Sequence, residues 1–404
     1  MKETIKTKKE RENLKGKSPQ KNIIDLKKEK DEIKKSKYPY SSLEGKRGLK
    51  KRKTMEYKEE DIDNYLDKEK NKVNDNKKIK EKEKLKINFQ EKTIKAITNK
   101  SVNALKEGRI KKVASYSQGG KGENGSFKPN QDSFLVLENL YNFKDFNIFS
   151  VFDGHGKSGH LISNFVNKYF AYFFHNNAMF NSNKNEDEIY CLLKKNNSDI
   201  IKNAFQQAQT ELDDNTKIDS NFSGTTCVMV IQIGEKILCA NVGDCRAILV
   251  KELYKVNRII PLSIDNKPEH PEETKRINKS GGEVSQLEED GIKSGPYRVW
   301  KKGEAYPGLA MSRSIGDYIA TSIGVIPIPK IIEETIDNNT KFIIVASDGV
   351  WEFLDNQKVV DIVMPFYKVN DPDGACKAVI KESTQLWKQE DIIIDDITII
   401  IIFF

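Results

Sequence analysis

Four apolar runs of this sequence stand directly beside acidic residues, and this repeated arrangement limits the folds that the chain can adopt. The run Ile148–Phe152 is typical of a buried strand and is followed at once by Asp153. The run SFLVL follows Asp132, FIIVAS precedes Asp348, and ITIIIIFF follows Asp395 and Asp396. Burying clustered carboxylates is costly unless cations neutralise them. The pattern therefore favours a site of oxygen ligands at strand ends, which suits magnesium or manganese better than zinc.

The segment DGHG, residues 153–156, shows what such a site requires of the backbone. A carboxylate and the imidazole of His155 stand together at the end of a strand. The two glycines let the chain turn tightly and let a main-chain carbonyl approach a hard metal ion. A single Asp-Gly at a strand end usually marks only a turn, so the hypothesis depends on the four acids together. The same two interpretations stay open for Asp244, which follows Gly243.

Charge is unevenly distributed along the 404 residues. The whole chain carries 68 Lys and Arg against 60 Asp and Glu, and residues 1–110 hold 35 of the former and 20 of the latter. The first 110 residues cannot bury enough apolar surface to offset the entropy of ordering them, which predicts a basic, low-complexity, mostly disordered extension. Its KKRK cluster, residues 50–53, is open to three interpretations: a nuclear address, a contact with an anionic surface, or a solvated tail.

Cysteine usage and hydropathy indicate where the protein works. The five cysteines form no CxxC pair, which favours reduced thiols and an intracellular location, cytoplasmic or nuclear. No apolar segment follows Met1 as a signal peptide would, and the C-terminal apolar run is interrupted by acids, so no membrane span is expected. The extension has few aromatic residues, so nucleic-acid binding is not expected. Nothing in the sequence indicates an obligate dimer, and we expect a monomer.

From residue 111 onward the apolar pattern becomes regular and predicts one folded domain, residues 111–404. VASYSQGG and SFLVLENL are predicted as paired strands, and residues 223–250 as an antiparallel meander. Helices are predicted over HLISNFVNKYFAYFFHNN and over residues 199–212. Because no βαβ rhythm is present, we expect an α+β fold of antiparallel sheets flanked by helices. The apolar stripe that should face the core in the first helix consists of Leu161, Phe165, Tyr169 and Phe173.

Eight strings resemble, in order, the motifs of the metal-dependent type 2C serine/threonine protein phosphatases, and they span nearly all of residues 111–404. The resemblance implies a sandwich of two antiparallel β-sheets with helices packed outside and a binuclear metal site at one end. It also implies an enzyme that hydrolyses phosphoserine and phosphothreonine in phosphorylated protein substrates. The strings are PNQDSF, VFDGHG, SGTT, NVGDCRAIL, KPEHPEETKRINKSGGEV, GLAMSRSIGD, ASDGVWEFL and DDIT.

The resemblance further implies two Mg²⁺ or Mn²⁺ ions with a bridging water as the nucleophile. Asp153 resembles the carboxylate that bridges the two ions, and Gly154 the residue that coordinates through its carbonyl oxygen. Asp348 and Asp395 look like ligands of one ion. Asp132 is similar to a metal-site acid that orients the attacking water. Two such ions would make hydroxide available near neutral pH and screen the charge of the phosphate.

Three further residues match positions with roles in that family. Asp244 and Glu352 fall where members of the family hold a weaker third ion. His155 matches the proposed general acid, which protonates the leaving serine or threonine oxygen. The other three histidines lack such a context and are expected to be structural.

Two positions depart from the pattern of many family members. Gln131 stands where many have glutamate, and a neutral amide is a weaker metal ligand. Phe127 stands where many have an arginine that binds the substrate phosphate. The neighbouring Lys128 offers that phosphate a point charge but no bidentate fork. These departures leave one alternative open, a catalytically weak pseudophosphatase that binds phosphoproteins.

Overall fold

The computed structural model describes residues 108–180, 184–289, 292–391 and 393–404. The predicted basic extension, residues 1–110, lies outside these ranges except for its last three residues. Its disorder and the role of its KKRK cluster therefore stay predictions. None of the helices in the described ranges is long and apolar enough to cross a membrane.

Sixteen strands and seven α-helices make up the described part of the chain. The strands are β1 (Lys112–Gln118), β2 (Ser133–Leu137), β3 (Phe146–Phe152), β4 (Gly154–His155), β5 (Gly224–Thr225), β6 (Cys227–Ile233), β7 (Lys236–Val242), β8 (Arg246–Leu253), β9 (Val256–Pro261), β10 (Gly282–Glu289), β11 (Ile292–Lys301), β12 (Pro307–Leu309), β13 (Ile315–Gly316), β14 (Lys330–Thr335), β15 (Thr340–Ala346) and β16 (Ile397–Phe403). The helices are α1 (Gly159–Asn176), α2 (Glu186–Asp213), α3 (Pro271–Lys279), α4 (Tyr318–Thr321), α5 (Asp348–Trp351), α6 (Asn356–Lys368) and α7 (Pro372–Glu390).

Two five-stranded antiparallel sheets form the centre of the fold. The first has the strand order β1-β16-β15-β8-β9 and the second the order β14-β7-β6-β3-β2. Two smaller sheets, β10-β11-β12 and β13-β5-β4, have three strands each. The predicted class, a sandwich of two antiparallel sheets flanked by helices, is confirmed.

The apolar core around the two large sheets lies in three layers, which explains why the central strands are apolar on both faces, and a smaller fourth cluster packs α3 beside β11 and β12. One cluster, including Val151, Val230 and Ile400, fills the space between the two large sheets. A second packs α1 and α2 against the outer face of one sheet, and a third packs α6 and α7 against the other. Strands β3, β6 and β16 are therefore buried at every position, and their sequences are almost unbroken apolar runs.

Three details of the predicted secondary structure are wrong. Strands β1 and β2 do not pair with each other, because β1 pairs with β16 and β2 with β3. The third strand of the predicted meander, β8, leaves the sheet of β6 and β7 and pairs with β15 and β9. The predicted core-facing stripe of α1 is wrong at Leu161, which is 45% exposed, whereas Tyr169 is buried and Phe165 and Phe173 pack against the core. The centre of the buried face is the next i, i+4 row, which is Ile162, Val166, Phe170 and Phe174.

Candidate active site

The registers of the two large sheets carry the predicted acids to one end of the sandwich. In the second sheet Ser133 pairs with Phe152, so Asp132 and Asp153 both stand one residue beyond a paired strand end. In the first sheet Ala346 pairs with Ile399 and also with Arg246. Asp348, Asp395 and Asp244 each lie within four residues of these paired positions. The acids that are scattered over 264 positions of the sequence therefore meet because of strand pairing.

Asp153 and Asp348 form the centre of this acidic cluster, where each side chain lies close enough to shift the pKa of the other. Desolvation and the charge of Asp348 raise the pKa of Asp153 well above its ordinary value. Desolvation and the charge of Asp395 raise the pKa of Asp348 in the same way. The backbone of Asp153 is fixed on both sides by Thr226, whose N–H donates to the Asp153 carbonyl over 2.9 Å and whose Oγ1 accepts from the Asp153 N–H over 3.1 Å.

Asp132 is buried beside this pair and is held by one of its two oxygens. Ser347 donates from Oγ to Oδ2 of Asp132 over 2.8 Å, whereas Oδ1 is buried without a partner in the described part of the chain. Desolvation and the charge of Asp396 raise the pKa of Asp132 to about 7. The side chain therefore presents one oxygen that is ready to accept a hydrogen bond or a cation.

Asp395 and Asp396 are adjacent in the DDIT string, and the structure gives them different roles. Asp396 is buried and accepts hydrogen bonds from the backbone N–H of Gly120 (2.6 Å) and of Gln131 (2.8 Å), so it ties together the loops that carry the other acids. Asp395 is half-buried and faces the cluster, where Lys128 Nζ donates to its Oδ1 over 2.5 Å. The structure therefore places Lys128 at the acidic cluster, on the carboxylate that was predicted as a metal ligand.

Gln131 has a structural role that accounts for its presence in the motif. Its side-chain Nε2 donates to the carbonyl of Gly156 over 2.7 Å, and its own carbonyl accepts from the N–H of Gly154 over 3.2 Å. Its carbonyl also accepts from Ser163 Oγ over 2.6 Å. The glutamine thus holds the DGHG loop against the start of α1. Phe127 projects into solvent and is 92% exposed.

Asp244 and Glu352 also lie within electrostatic reach of Asp348. Asp244 follows Gly243, whose φ of 99° turns the chain from β7 in one sheet towards β8 in the other. Lys267 Nζ donates to Oδ2 of Asp244 over 2.6 Å. Desolvation alone would raise the pKa of Asp244, but the ammonium of Lys267 outweighs it and holds that pKa below its ordinary value. Oδ1 of Asp244 is buried without a hydrogen-bond partner in the described ranges.

His155 is held at the edge of the cluster by Asp317, which was not among the residues predicted for the site. Its Nε2 lies 2.7 Å from Oδ2 of Asp317, and its Nδ1 is buried without a partner among the described residues. Desolvation alone would lower the pKa of His155, but the charge and hydrogen bond of Asp317 raise it. Asp317 is the last residue of the GLAMSRSIGD string, and that string is the sequence signal that could have identified it as a site residue.

Known proteins are similar to this chain over most of its described residues. The family model described as "Protein phosphatase 2C" matches residues 116–386. The chain belongs to the protein phosphatase 2C family. "Probable protein phosphatase 2C 35" of Arabidopsis thaliana is 36% identical over 304 residues, which cover 71% of this chain and 82% of that relative. "Probable protein phosphatase 2C 12" of Oryza sativa subsp. japonica is 32% identical over 317 residues, covering 70% and 78%.

A solved protein phosphatase 2C fold supports the same architecture. The crystal structure of serine-threonine phosphatase 2C from Toxoplasma gondii superposes with a TM-score of 0.58 at 19% identity. The likeness covers 74% of this chain and 96% of that one. At this identity the likeness shows the shared fold alone.

The donor set of this protein phosphatase 2C site fits divalent cations. In the described ranges no group of three or more His, Cys, Asp or Glu side chains closes around a single point as the ligands of one ion. The cluster is nevertheless built of carboxylates, and one oxygen each of Asp132, Asp244 and Asp348 is buried without a hydrogen-bond partner among these residues. Buried oxygens that repel one another and lack donors are the ligands that Mg²⁺ and Mn²⁺ prefer.

Proposed function

We propose that this chain is a protein serine/threonine phosphatase that uses Mg²⁺ or Mn²⁺ to release phosphate from phosphoserine and phosphothreonine in proteins. The observation that carries the proposal is the strand register, which brings Asp132, Asp153, Asp348 and Asp395 to one end of the sandwich beside His155. Membership of the protein phosphatase 2C family supports the same activity. The substrates are phosphorylated proteins.

The cluster residues would hold two cations, and each residue of the site makes a separate contribution. The ligands of these cations would be Asp153, Asp348, Asp395 and the carbonyl oxygen of Gly154. Asp244 and Glu352 would bind a third, more weakly held cation. Bound divalent cations lower the pKa of a water molecule and screen the charge of a phosphate ester. Oδ1 of Asp132, which is buried without a partner among the described residues, would accept a hydrogen bond from the attacking water and so orient it towards phosphorus.

Two basic side chains act on the substrate: one binds its phosphate and the other protonates the leaving oxygen. Lys128 lies on Asp395 with its side chain 24% exposed, where it offers the incoming phosphate a point charge. His155 donates a proton to the serine or threonine oxygen when the P–O bond breaks, because an alkoxide is too basic to leave unprotonated.

The alternative of a weak pseudophosphatase is not favoured by the contacts of the two departing residues. Gln131 holds the DGHG loop through its side-chain amide, which is a structural reason for glutamine at this position. The positive charge that Phe127 lacks is supplied by the neighbouring Lys128, whose ammonium reaches the cluster. We therefore treat the chain as an active enzyme.

We further propose that the protein is a monomer, that it acts in the cytoplasm or nucleus, and that nucleic acid is not its partner. All five cysteines are free thiols, and four of them are buried, which supports a reducing compartment. The limits of the catalytic domain, residues 111–404, stay a prediction that contains the matched range 116–386.

Replacing His155 by alanine tests the proposed reaction. We expect kcat for a phosphothreonine peptide to fall about 100-fold or more, and kcat for p-nitrophenyl phosphate to fall far less, because nitrophenolate needs little protonation. Phosphate release is measured for both substrates with millimolar Mn²⁺. His175→Ala, at the exposed far end of α1, is the control and should match the wild type. Equal losses on the two substrates would contradict proton donation by His155.

A further inference from the structure

The small sheet β13-β5-β4 brings together parts of three sequence strings, which are VFDGHG, SGTT and GLAMSRSIGD. The proposed function gives these three strings no common role. Each strand contributes two residues. His155 of β4 pairs with Gly224 of β5, and Gly224 pairs with Gly316 of β13. Because Asp317 follows Gly316, the sheet places His155 and Asp317 on either side of Gly224.

The carboxylate of Asp317 is held rigidly within this sheet. Ser314 donates from Oγ to Oδ2 of Asp317 over 2.5 Å, and the same oxygen lies 2.7 Å from His155 Nε2. The backbone N–H of Asp317 donates to the carbonyl of Ser223 over 2.9 Å. The side chain of Asp317 is 5% exposed, and its backbone adopts a left-handed conformation with φ of 47°. These contacts leave the carboxylate little freedom to turn away from His155.

Gly224 provides the space in which the His155–Asp317 hydrogen bond forms. A Cβ atom at this position would lie 2.2 Å from Oδ2 of Asp317 and 2.9 Å from Nε2 of His155. Both distances are shorter than van der Waals contact permits, so any side chain would separate the two groups. A glycine at the centre of SGTT is therefore required by the pair that crosses it.

We propose that Asp317 is a positioning residue that fixes His155 through Nε2 and leaves Nδ1 to give the proton to the leaving oxygen, with Gly224 keeping the required clearance. In the reaction a water oxygen bonds to phosphorus while the ester P–O bond breaks, and its electron pair stays on the serine or threonine oxygen. That oxygen takes the Nδ1 proton, the attacking water loses one proton to solvent, and His155 regains a proton from solvent. Asp317 stays ionised throughout. The inference rests on the proposed phosphatase function.

The test compares Asp317→Asn with the wild type on two substrates. An amide of the same shape either offers an N–H to Nε2, which disfavours the required proton position, or offers an uncharged oxygen. We expect kcat for a phosphothreonine peptide to fall at least about 10-fold more than kcat for p-nitrophenyl phosphate, approaching the pattern of His155→Ala. Gly224→Ala should show the same selective loss. Asp361→Asn, an exposed acid on α6, is the matched control and should change neither substrate.

A spectroscopic measurement separates positioning from a general loss of structure. The chain has four histidines, so ¹⁵N-histidine NMR of the EDTA-treated full-length protein gives few signals. We expect the wild type to show one imidazolium that is protonated at both ring nitrogens and hydrogen-bonded at Nε2, and Asp317→Asn to shift the signals of that ring alone. His155→Ala, which removes the signals, provides their assignment.

The outcomes distinguish this inference from the proposed function. A wild-type protein that releases phosphate, combined with equal losses on both substrates in Asp317→Asn, would overturn the inference and leave the proposed function standing. Unchanged histidine signals in Asp317→Asn would also overturn it. A folded wild type that releases no phosphate from the peptide with Mn²⁺ would overturn the proposed function, and the leaving-group role of His155 with it.

Discussion

Replacing Asp348 by asparagine is expected to abolish measurable turnover at ordinary metal concentrations. Asp348 lies close to Asp153, and its Oδ1 is buried without a hydrogen-bond partner among the described residues, so the substitution removes an anionic cation ligand at the centre of the cluster. Cation stabilisation of the transition state is worth several kcal/mol. A loss of about 4 kcal/mol corresponds to a fall in kcat/KM of about 1000-fold.

The same substitution should stabilise the metal-free protein. The pKa of Asp348 is raised in the folded state, so the carboxylate favours folding only when protonated and opposes it as the pH rises through the folded pKa. An amide of equal size carries no charge, so it removes the free-energy cost of placing Asp348 beside Asp153 and Asp395, whether that cost is repulsion of the ionised side chain or uptake of a proton. We therefore expect the EDTA-treated Asp348→Asn protein to unfold at a higher temperature than the EDTA-treated wild type.

Activity and stability together make this prediction specific. Phosphate release and thermal unfolding are measured for the wild type, for Asp348→Asn and for Asp361→Asn. The control changes an exposed acid of α6 that accepts a hydrogen bond from Gln357, and it should alter neither readout. Full activity of Asp348→Asn at micromolar Mn²⁺ would contradict the assignment of Asp348 as a ligand. A lower unfolding temperature of its metal-free form would show that repulsion by Asp348 does not destabilise the cluster.

The second large effect concerns stability, and it is expected at Glu273 on α3. Its carboxylate is fully buried and accepts from Arg313 Nη2 over 2.6 Å, from Ser312 Oγ over 2.7 Å and from Arg276 Nη1 over 2.8 Å. Removing one partner of a buried ion pair leaves the other charge uncompensated and costs about 3–5 kcal/mol. We expect Glu273→Ala to unfold about 10 °C below the wild type.

The pH dependence of this effect follows from the pKa of Glu273. Desolvation alone would raise that pKa, but Arg313, Ser312 and Arg276 lower it from 4.5 to about 2. A depressed pKa contributes stability that is complete well above 4.5 and is lost as the pH falls towards 2. The difference in free energy of unfolding between the wild type and Glu273→Gln, measured in urea, should be smaller at pH 4 than at pH 7.

The neighbouring Glu272 supplies the matched control. It is exposed and pairs with Lys330 at the surface, and Glu272→Gln should unfold at nearly the wild-type temperature. An equal loss in the two variants would show that the buried network around Glu273 contributes little to stability. A difference that grows as the pH is lowered would contradict the direction of its pKa shift.

The sequence predicted where the strands and helices lie better than it predicted which strands pair with each other. The runs that became β1, β2 and β8 were each recognised as strands, yet all three were paired wrongly. Periodicity reports which face of a strand is buried, and it carries no information about which strand lies alongside. The stripe predicted for α1 was wrong at Leu161 because Leu161 and Ile162 are similarly apolar, and only packing against the sheet decides which of them is buried.

The residues of the candidate site likewise fall into those that the sequence could predict and those that it could not. The acids at strand ends could be predicted because their chemistry is local to a strand and its turn. The roles of Asp317, Lys267 and Asp396 could not, because each depends on a contact with a distant segment. Asp317 reaches His155 only through the small sheet β13-β5-β4, and its left-handed backbone is a conformation that aspartate tolerates but does not require. Lys267 approaches Asp244 only where β7 crosses to β8 in the other sheet.

Phosphate release from a phosphothreonine peptide by the EDTA-stripped full-length protein, before and after addition of millimolar Mn²⁺ or Mg²⁺, tests the central claim most directly. We predict no release without metal and full release once metal is added. The added metal should also raise the unfolding temperature, because it binds the folded cluster. Undiminished release in EDTA, or no release at millimolar metal from a folded protein, would contradict the assignment of the acidic cluster as the catalytic metal site.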